Sequence, residues 1–285
     1  MKFGLFGINF GPCADPDVAV RVARAAESAG FESVWTGEHV VLPDPQAPPS
    51  PSPPNTPFLD PAVALAFVAG QTKSLRLGTG IIILPQRNPV VLAKELTSVD
   101  RLSKGRLIFG LGAGYLKPEF QALGAPFGDR GRRTDEYIEA ILALWTQDKP
   151  EYKGEYVAFG GIQSQPRPVQ TPHPPIVVGG MSPSALRRAA RYGNGWYGFA
   201  LDLAATERAI EGLRAAEQRL DRDAALGRLE VTVTPPPGKL ELDAVHRYAA
   251  LGVDRLVLRN PGRTADDQVA AIGRAERELV RPLAE

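Results

Sequence analysis

Cysteine is almost absent from this chain. Among 285 residues Cys13 stands alone, so no internal disulfide can form, and the composition fits a reducing compartment. Histidine is nearly as scarce. His39, His173 and His246 are the only three, and none has the spacing to cysteine or carboxylate that a metal site needs. Charge of one sign is also lacking. The 33 basic residues balance 32 acidic ones, which indicates neither nucleic acid nor a membrane surface as a partner. No apolar run approaches the roughly 20 residues of a membrane span. The opening MKFGLFGINF is too short an apolar run for a signal peptide, and Asp15 and Asp17 follow it. There is no G-x-S-x-G elbow, no P-loop and no H-E-x-x-H. The absences leave a soluble, cytoplasmic protein, single-domain over residues 1–285, whose chemistry would rest on a borrowed cofactor.

What is present is a 44% apolar composition, ample for one large core, and one stretch that organises the rest. Residues 76–115 hold two wholly apolar runs, Leu77–Leu84 and Leu107–Leu111, separated by Val90–Leu102 with apolar residues at helical spacing. A strand apolar at every position is buried on both faces, as parallel strands are. Strand, helix, strand in that order predicts a βαβ unit with a right-handed crossover. Pro85 follows the first strand and Gly112-Ala113-Gly114 the second. Parallel α/β folds collect their chemistry at such carboxyl ends, where glycines let a ligand approach the backbone.

Along the chain, further strands are predicted at Phe3–Ile8, Ser33–Thr36, Ile176–Val178, Gly195–Phe199, Leu229–Thr234 and Arg255–Leu258. Helices are predicted from Pro16 to Ser28, Pro61 to Thr72, Arg132 to Trp145, Pro183 to Tyr192, Leu203 to Leu220, Leu240 to Leu251 and Thr264 to Leu279. Eight strands alternating with eight helices point to a (β/α)8 TIM barrel, with a doubly wound sheet as the alternative. Two interruptions stand out. Residues 43–61 after the second strand carry 9 of the 27 prolines and form either a disordered insert or a lid over the site. Tyr152–Phe159, after the fourth barrel helix, suggests a small hairpin excursion.

Several residues can carry chemistry. His39 follows the second strand, where a barrel places it at the mouth to donate a proton or hydrogen bond; a surface histidine capping a turn is the plainer alternative. Glu38 either orients that ring or sits in water. Gly179-Gly180-Met181-Ser182 joins a strand to a helix N-terminus, a junction suited to phosphate, although a GG turn often serves geometry alone. Gly110-Leu111-Gly112-Ala113-Gly114 is not a dinucleotide fingerprint, because no helix follows at once. Arg130, Arg132 and Arg133 fit a solvated face or helix-start ion pairs.

Five segments together resemble one family: AGFESVWTGEHV at 29–40, RLGTGIIILPQRNPVVLAKELTSVDRLSKGRL at 76–107, GLGAGYLKPEF at 110–120, RGRRTDEYIEAILALW at 130–145 and PHPPIVVGGMSPSALRRAARYGNGW at 172–196. The chain resembles the luciferase-like monooxygenases, especially their deazaflavin-dependent branch. The resemblance implies a (β/α)8 barrel and a hydride transfer between coenzyme F420 and a small organic substrate, with FMN and oxygen as the alternative chemistry and a non-catalytic flavin-binding barrel as a third. It implies that His39 faces the reactive centre and that Glu38, Thr79, Gly80 and Ile81 line the ring, with a non-proline cis peptide within 79–81. Gly112, Ala113 and Gly114 would pass the sugar-like chain, and Gly179, Gly180, Met181 and Ser182 would bind phosphate. Tyr115 stands where sugar-phosphate dehydrogenases of the family carry a glutamate. With Trp196 and Tyr197 it suggests a less polar substrate. The resemblance also implies a homodimer, with contacts around Ala62–Phe67 and Val90–Leu102.

Overall fold

The structure, a computed structural model, describes residues 1–283. In chain order it runs β1 (Lys2–Phe6), α1 (Pro16–Ser28), β2 (Ser33–Trp35), α2 (Pro61–Gln71), β3 (Arg76–Gly78), β4 (Ile82–Ile83) and α3 (Pro89–Leu102). Next come β5 (Leu107–Gly112), α4 (Lys117–Ala122), α5 (Arg130–Thr146) and a hairpin of β6 (Tyr152–Lys153) and β7 (Ala158–Phe159). The last part holds β8 (Ile176–Gly179), α6 (Pro183–Tyr192), β9 (Gly195–Phe199), α7 (Leu203–Leu220) and β10 (Glu230–Thr234). It closes with α8 (Leu242–Leu251), β11 (Arg255–Arg259) and α9 (Ala265–Ala275).

Eight parallel strands, β1, β2, β3, β5, β8, β9, β10 and β11, close into a (β/α)8 barrel through the β1–β11 and β3–β5 pairings. The helix starts follow from local chemistry. Asp15, Asp60, Asn88 and Ser182 each cap a helix with a side-chain oxygen and precede a proline in its first turn, where proline's missing N–H is no loss. The hairpin is where the sequence suggested it.

Two expectations need correction. The run Leu77–Leu84 is not one strand: β3 stops at Gly78, β4 resumes beside Leu111 and Gly112, and the Gly80–Ile81 peptide between them is cis. That bond lies within the interval the family resemblance implied. The closing helix gives way after Ala275 to π-type winding over Glu276–Val280.

Alternation along the strands sorts the core. Trp35, Ile108, Val177, Tyr197 and Val257 turn toward the barrel axis and pack together. Leu5, Val34, Leu77, Phe109, Val178, Trp196, Val233 and Leu256 face the helices. The Trp35 indole fills the interior because its neighbours there are glycines: a Cβ on Gly4 would sit 2.8 Å from its ring nitrogen, and one on Gly78 would sit 2.5 Å from its ring carbons. Beneath it, the fully buried Arg255 grips Glu32 through two bonds of 2.8 and 2.9 Å and also pairs with Glu230 and Thr232. A buried guanidinium persists only with such complete pairing.

Candidate active site

The barrel staves end together at one mouth, and His39 stands four residues past β2. Its Nδ1 lies 3.2 Å from Oε2 of Glu119, on α4, while Oε1 of that carboxylate accepts the Val40 N–H at 2.6 Å. The Glu119 side chain is wholly buried and the imidazole is nearly so. A carboxylate oxygen can only accept, so Nδ1 carries the proton in this contact. Nε2 makes no hydrogen bond to the described residues. Phe58 and Tyr115 meet the imidazole edge-on, with centroids 5.6 and 6.2 Å away. Burial, and next the Glu119 charge, raise the Tyr115 phenol above its ordinary range.

Glu38 neither orients this ring nor sits in water. Its buried carboxylate turns the other way, accepting the Ile83 N–H and pairing with Arg87, which also holds Asp60 at 2.7 Å. Burial raises the carboxyl despite the adjacent guanidinium. Glu38 therefore anchors β4 and α2 to the mouth, and Glu119, 80 residues from His39 in the chain, takes the role considered for it.

The end of the proline-rich loop is docked. Asn9 is fully buried, donates to the carbonyls of Gly37 at 2.9 Å and Leu59 at 2.7 Å, and accepts the Gly37 N–H at 2.8 Å. Phe58 stacks on Phe10 at 4.9 Å. Residues 57–60 thus lie against the mouth as an ordered flank.

Around the rim the innermost side chains divide by stave. Just past β3, and on β5 and β8, they are absent: Gly80, Gly112 and Gly179 occupy those positions. Ile81 fills the space, because a Cβ on Gly112 would fall 2.2 Å, and one on Gly179 2.7 Å, from its Cδ1. These two glycines thus accommodate Ile81 instead of leaving the backbone bare. Thr79 locks the layer below through hydrogen bonds of 2.7 and 2.8 Å with Gly110. Thr36, beside Gly80, has a buried hydroxyl without a partner. The Gly112-Ala113-Gly114 turn follows, with the Gly114 carbonyl accepting from Arg130 at 3.1 Å. Arg130 stacks on Phe127 and Arg133 pairs with Asp129, the helix-start arrangement the sequence suggested.

At the β8–α6 junction Gly180 takes φ +112°, open to glycine but strained for other residues. Gly180, Met181 and Ser182 are exposed, and the Ser182 hydroxyl accepts the Ala185 N–H at 3.2 Å. The N–H groups of Met181 and Ser182 meet no acceptor among the described residues. Trp196, expected at the substrate, lies elsewhere. It is fully buried on the helix side of β9, where its indole N–H donates to the Gly180 carbonyl at 2.8 Å. Its neighbour Tyr197 points inward, hydrogen-bonds Thr234 at 2.7 Å, and burial raises its phenol. The two residues alternate on one strand, so only one can face the axis.

The structure thus gathers His39, Tyr115, residues 79–81, 112–114 and 179–182 around one mouth. Glu119, Asn9, Phe58, Phe199 and Arg259 join them without having been singled out in the sequence, although Glu119 lies within the GLGAGYLKPEF segment. Among the described residues no cluster of three or more His, Cys, Asp or Glu side chains could hold a metal, and no helix is long and apolar enough to cross a membrane.

The fold and the site together define a (β/α)8 barrel with a histidine and glycine-rich turns at its carboxyl end. The luciferase-like monooxygenase profile matches residues 1–275, and the chain belongs to that family. An uncharacterized protein of Mycobacterium tuberculosis is 34% identical over 266 residues, 90% of this chain and 92% of the relative. The oxygenase component of flavin-dependent trigonelline monooxygenase from Acinetobacter baylyi is 34% identical over 179 residues, 62% of this chain and 46% of that protein. Among solved structures, an F420-dependent secondary alcohol dehydrogenase in complex with an F420–acetone adduct superposes with a TM-score of 0.80 at 16% identity, covering 98% of both chains.

Proposed function

We propose that the protein is an oxidoreductase that uses the deazaflavin F420 to move a hydride to or from a small, largely apolar organic molecule. The observation that carries this is the His39–Glu119 pair. A carboxylate fixes the imidazole through Nδ1 and leaves Nε2 without a hydrogen bond among the described residues. When bound, the cofactor would supply the hydride at a ring carbon. The chain's own residues fit a flat, phosphate-bearing group. Thr36 offers a buried hydroxyl with no partner among the described residues beside the glycine-lined staves, and the N–H groups of Met181 and Ser182, which meet no acceptor among those residues, immediately precede a helix of 10 residues. Donors at a helix N-terminus favour phosphate. His39 would give or take the proton that accompanies the hydride, and Phe58 with Tyr115 would keep water from the ring.

The name of the Acinetobacter relative favours a second reading, a flavin-dependent monooxygenase that uses reduced FMN and oxygen. The same phosphate junction would serve it. A fluorescence-quench titration with F420 and, separately, FMN tests both. Micromolar or tighter binding of F420 with weaker FMN supports the first reading. Preference for FMN, with oxygen uptake when it is reduced, supports the second. Binding of neither overturns both.

We also propose a homodimer through α2 and α3, because Val63, Phe67 and Val91 stand exposed on these helices at 68%, 43% and 55%. Exposed apolar side chains grouped in this way favour association. Light scattering after size exclusion tests it; a monomer at micromolar concentration refutes it.

A further inference from the structure

The half of the mouth opposite the glycines has a different character. On β1, Gly4 faces the axis against Trp35, so Phe6 does as well; on β9, Tyr197 and Phe199 share a face; on β11, Val257 faces the axis and Arg259 follows it two residues on. The rings form an unbroken line. Tyr115 meets His39 at 6.2 Å, His39 meets Phe58 at 5.6 Å, Phe58 meets Phe10 at 4.9 Å, Phe10 meets Phe6 at 5.4 Å, and Phe6 meets Phe199 at 5.0 Å. The line ends in a cation, because the Arg259 guanidinium lies 5.9 Å from the centre of the Phe199 ring. Arg259 is exposed and has no ion pair or hydrogen bond with the described residues. It also borders a cavity of about 100 Å³ at the end of β1, which Phe6 and Phe10 share with the helix-side residues Leu5, Cys13 and Gln268. The nearby Lys239 is engaged by Glu241 at 3.0 Å, so Arg259 brings a single uncompensated charge.

We propose that this half of the mouth binds the flat apolar body of a monoanionic substrate, with Arg259 receiving its carboxylate. The inference rests on the mouth being the substrate site of the oxidoreductase proposed above. Aromatic edges and faces suit a planar hydrocarbon body. A guanidinium offers two parallel N–H donors that match a carboxylate, and one such group neutralises one charge. Arg259 is not placed to serve the phosphate junction: β9 and β10 separate β11 from β8 around the barrel. A substrate held by its carboxylate at Arg259 and lying along the rings would reach toward His39, which stands in the same line.

The test uses 2-naphthoate and its uncharged analogue 2-naphthamide as probes, with the protein loaded with whichever of F420 or FMN it binds, or unloaded if it binds neither. Calorimetry should show naphthoate binding at least about tenfold tighter than the amide, the range of a charge-assisted hydrogen bond. Arg259→Gln should weaken naphthoate by about tenfold and leave naphthamide unchanged, and Arg259→Lys should restore part of the difference. Equal affinity for the two probes in the wild type, or an unchanged ratio in Arg259→Gln, overturns the assignment. Loss of cofactor affinity in Arg259→Gln also overturns it, because the arginine would then belong to the cofactor. Probe discrimination by a protein that binds neither cofactor would sink the oxidoreductase proposal and the claim that the bound anion is its substrate, and keep only Arg259 as the carboxylate's partner.

Discussion

Glu119→Gln separates the two tasks of one carboxylate. The amide is nearly isosteric, and its oxygen can still accept the Val40 N–H now bonded at 2.6 Å. Its NH2 group would then face His39 Nδ1, where the carboxylate now lies at 3.2 Å. A donor in that position forces Nδ1 to become the acceptor and moves the ring proton to Nε2. Stability should change little, within about 1.5 kcal/mol, the range of one ordinary hydrogen bond. Turnover should fall by about 100-fold or more, because correct protonation of a general acid or base is worth that much. Glu119→Ala behaves differently: the Val40 N–H loses its acceptor, a loss of about 1–3 kcal/mol. The direct assay needs no substrate. With only three histidines in the chain, nitrogen NMR of the imidazoles, assigned with His39→Gln, reads each tautomer. Neutral His39 should carry its proton on Nδ1 in the wild type and on Nε2 in Glu119→Gln. An Nε2-protonated His39 in the wild type would refute the proton placement and the role given to Glu119.

Three further outcomes follow from the geometry. Gly110→Ala places a methyl 1.8 Å from the Thr79 carbonyl oxygen, and overpacking against backbone should lower stability by about 3 kcal/mol; Gly128→Ala, with nothing within 4 Å, is the control in a urea melt. Asn9→Ala removes three hydrogen bonds that hold Gly37 and Leu59; stability should drop by about 3 kcal/mol, and thermolysin should cut within residues 40–59 faster than in the wild type. Burial raises the Glu27 carboxyl, but the N–H groups of Ser74, Lys73 and Leu75 and the Ser74 hydroxyl outweigh it and hold the pKa at about 2. An unfolded glutamate titrates near about 4.3, so this stabilisation is complete above that pH and is lost as pH falls through about 2, amounting to about 1 kcal/mol after solvent screening. Glu27→Gln should flatten that part of an acid denaturation curve; an unaltered acid limb would refute the assignment.

Much of the barrel was legible because its signals are local. Strands buried on both faces are apolar throughout, and helices that open on Asp-Pro, Asn-Pro or Ser-Pro announce their first turn, so most boundaries fall within two residues of the expected ones. The break between Gly78 and Ile82 was not legible, since a cis peptide leaves the hydrophobic pattern untouched. The side of the sheet that Trp196 takes was hidden for a related reason: where both faces are buried, polarity does not alternate, and parity has to come from packing. Glu119 carries no local signal, because its partner is 80 residues away in the chain. Arg259 lies one residue beyond the expected end of its strand, and that residue carries its side chain to the axis.

The division of the rim also governs how this sequence can change over time. On the glycine staves, a side chain at Gly112 or Gly179 would collide with Ile81, and one at Gly110 with the Thr79 backbone. Single substitutions there meet a wall, and viable change requires several coordinated ones. On the opposite staves Phe199 is 44% exposed and Arg259 is also exposed, so one codon at a time can alter the lining without disturbing the packed layer below. Descendants of this chain are therefore free to diversify at the rim positions Phe199 and Arg259 while inheriting the glycine staves unaltered.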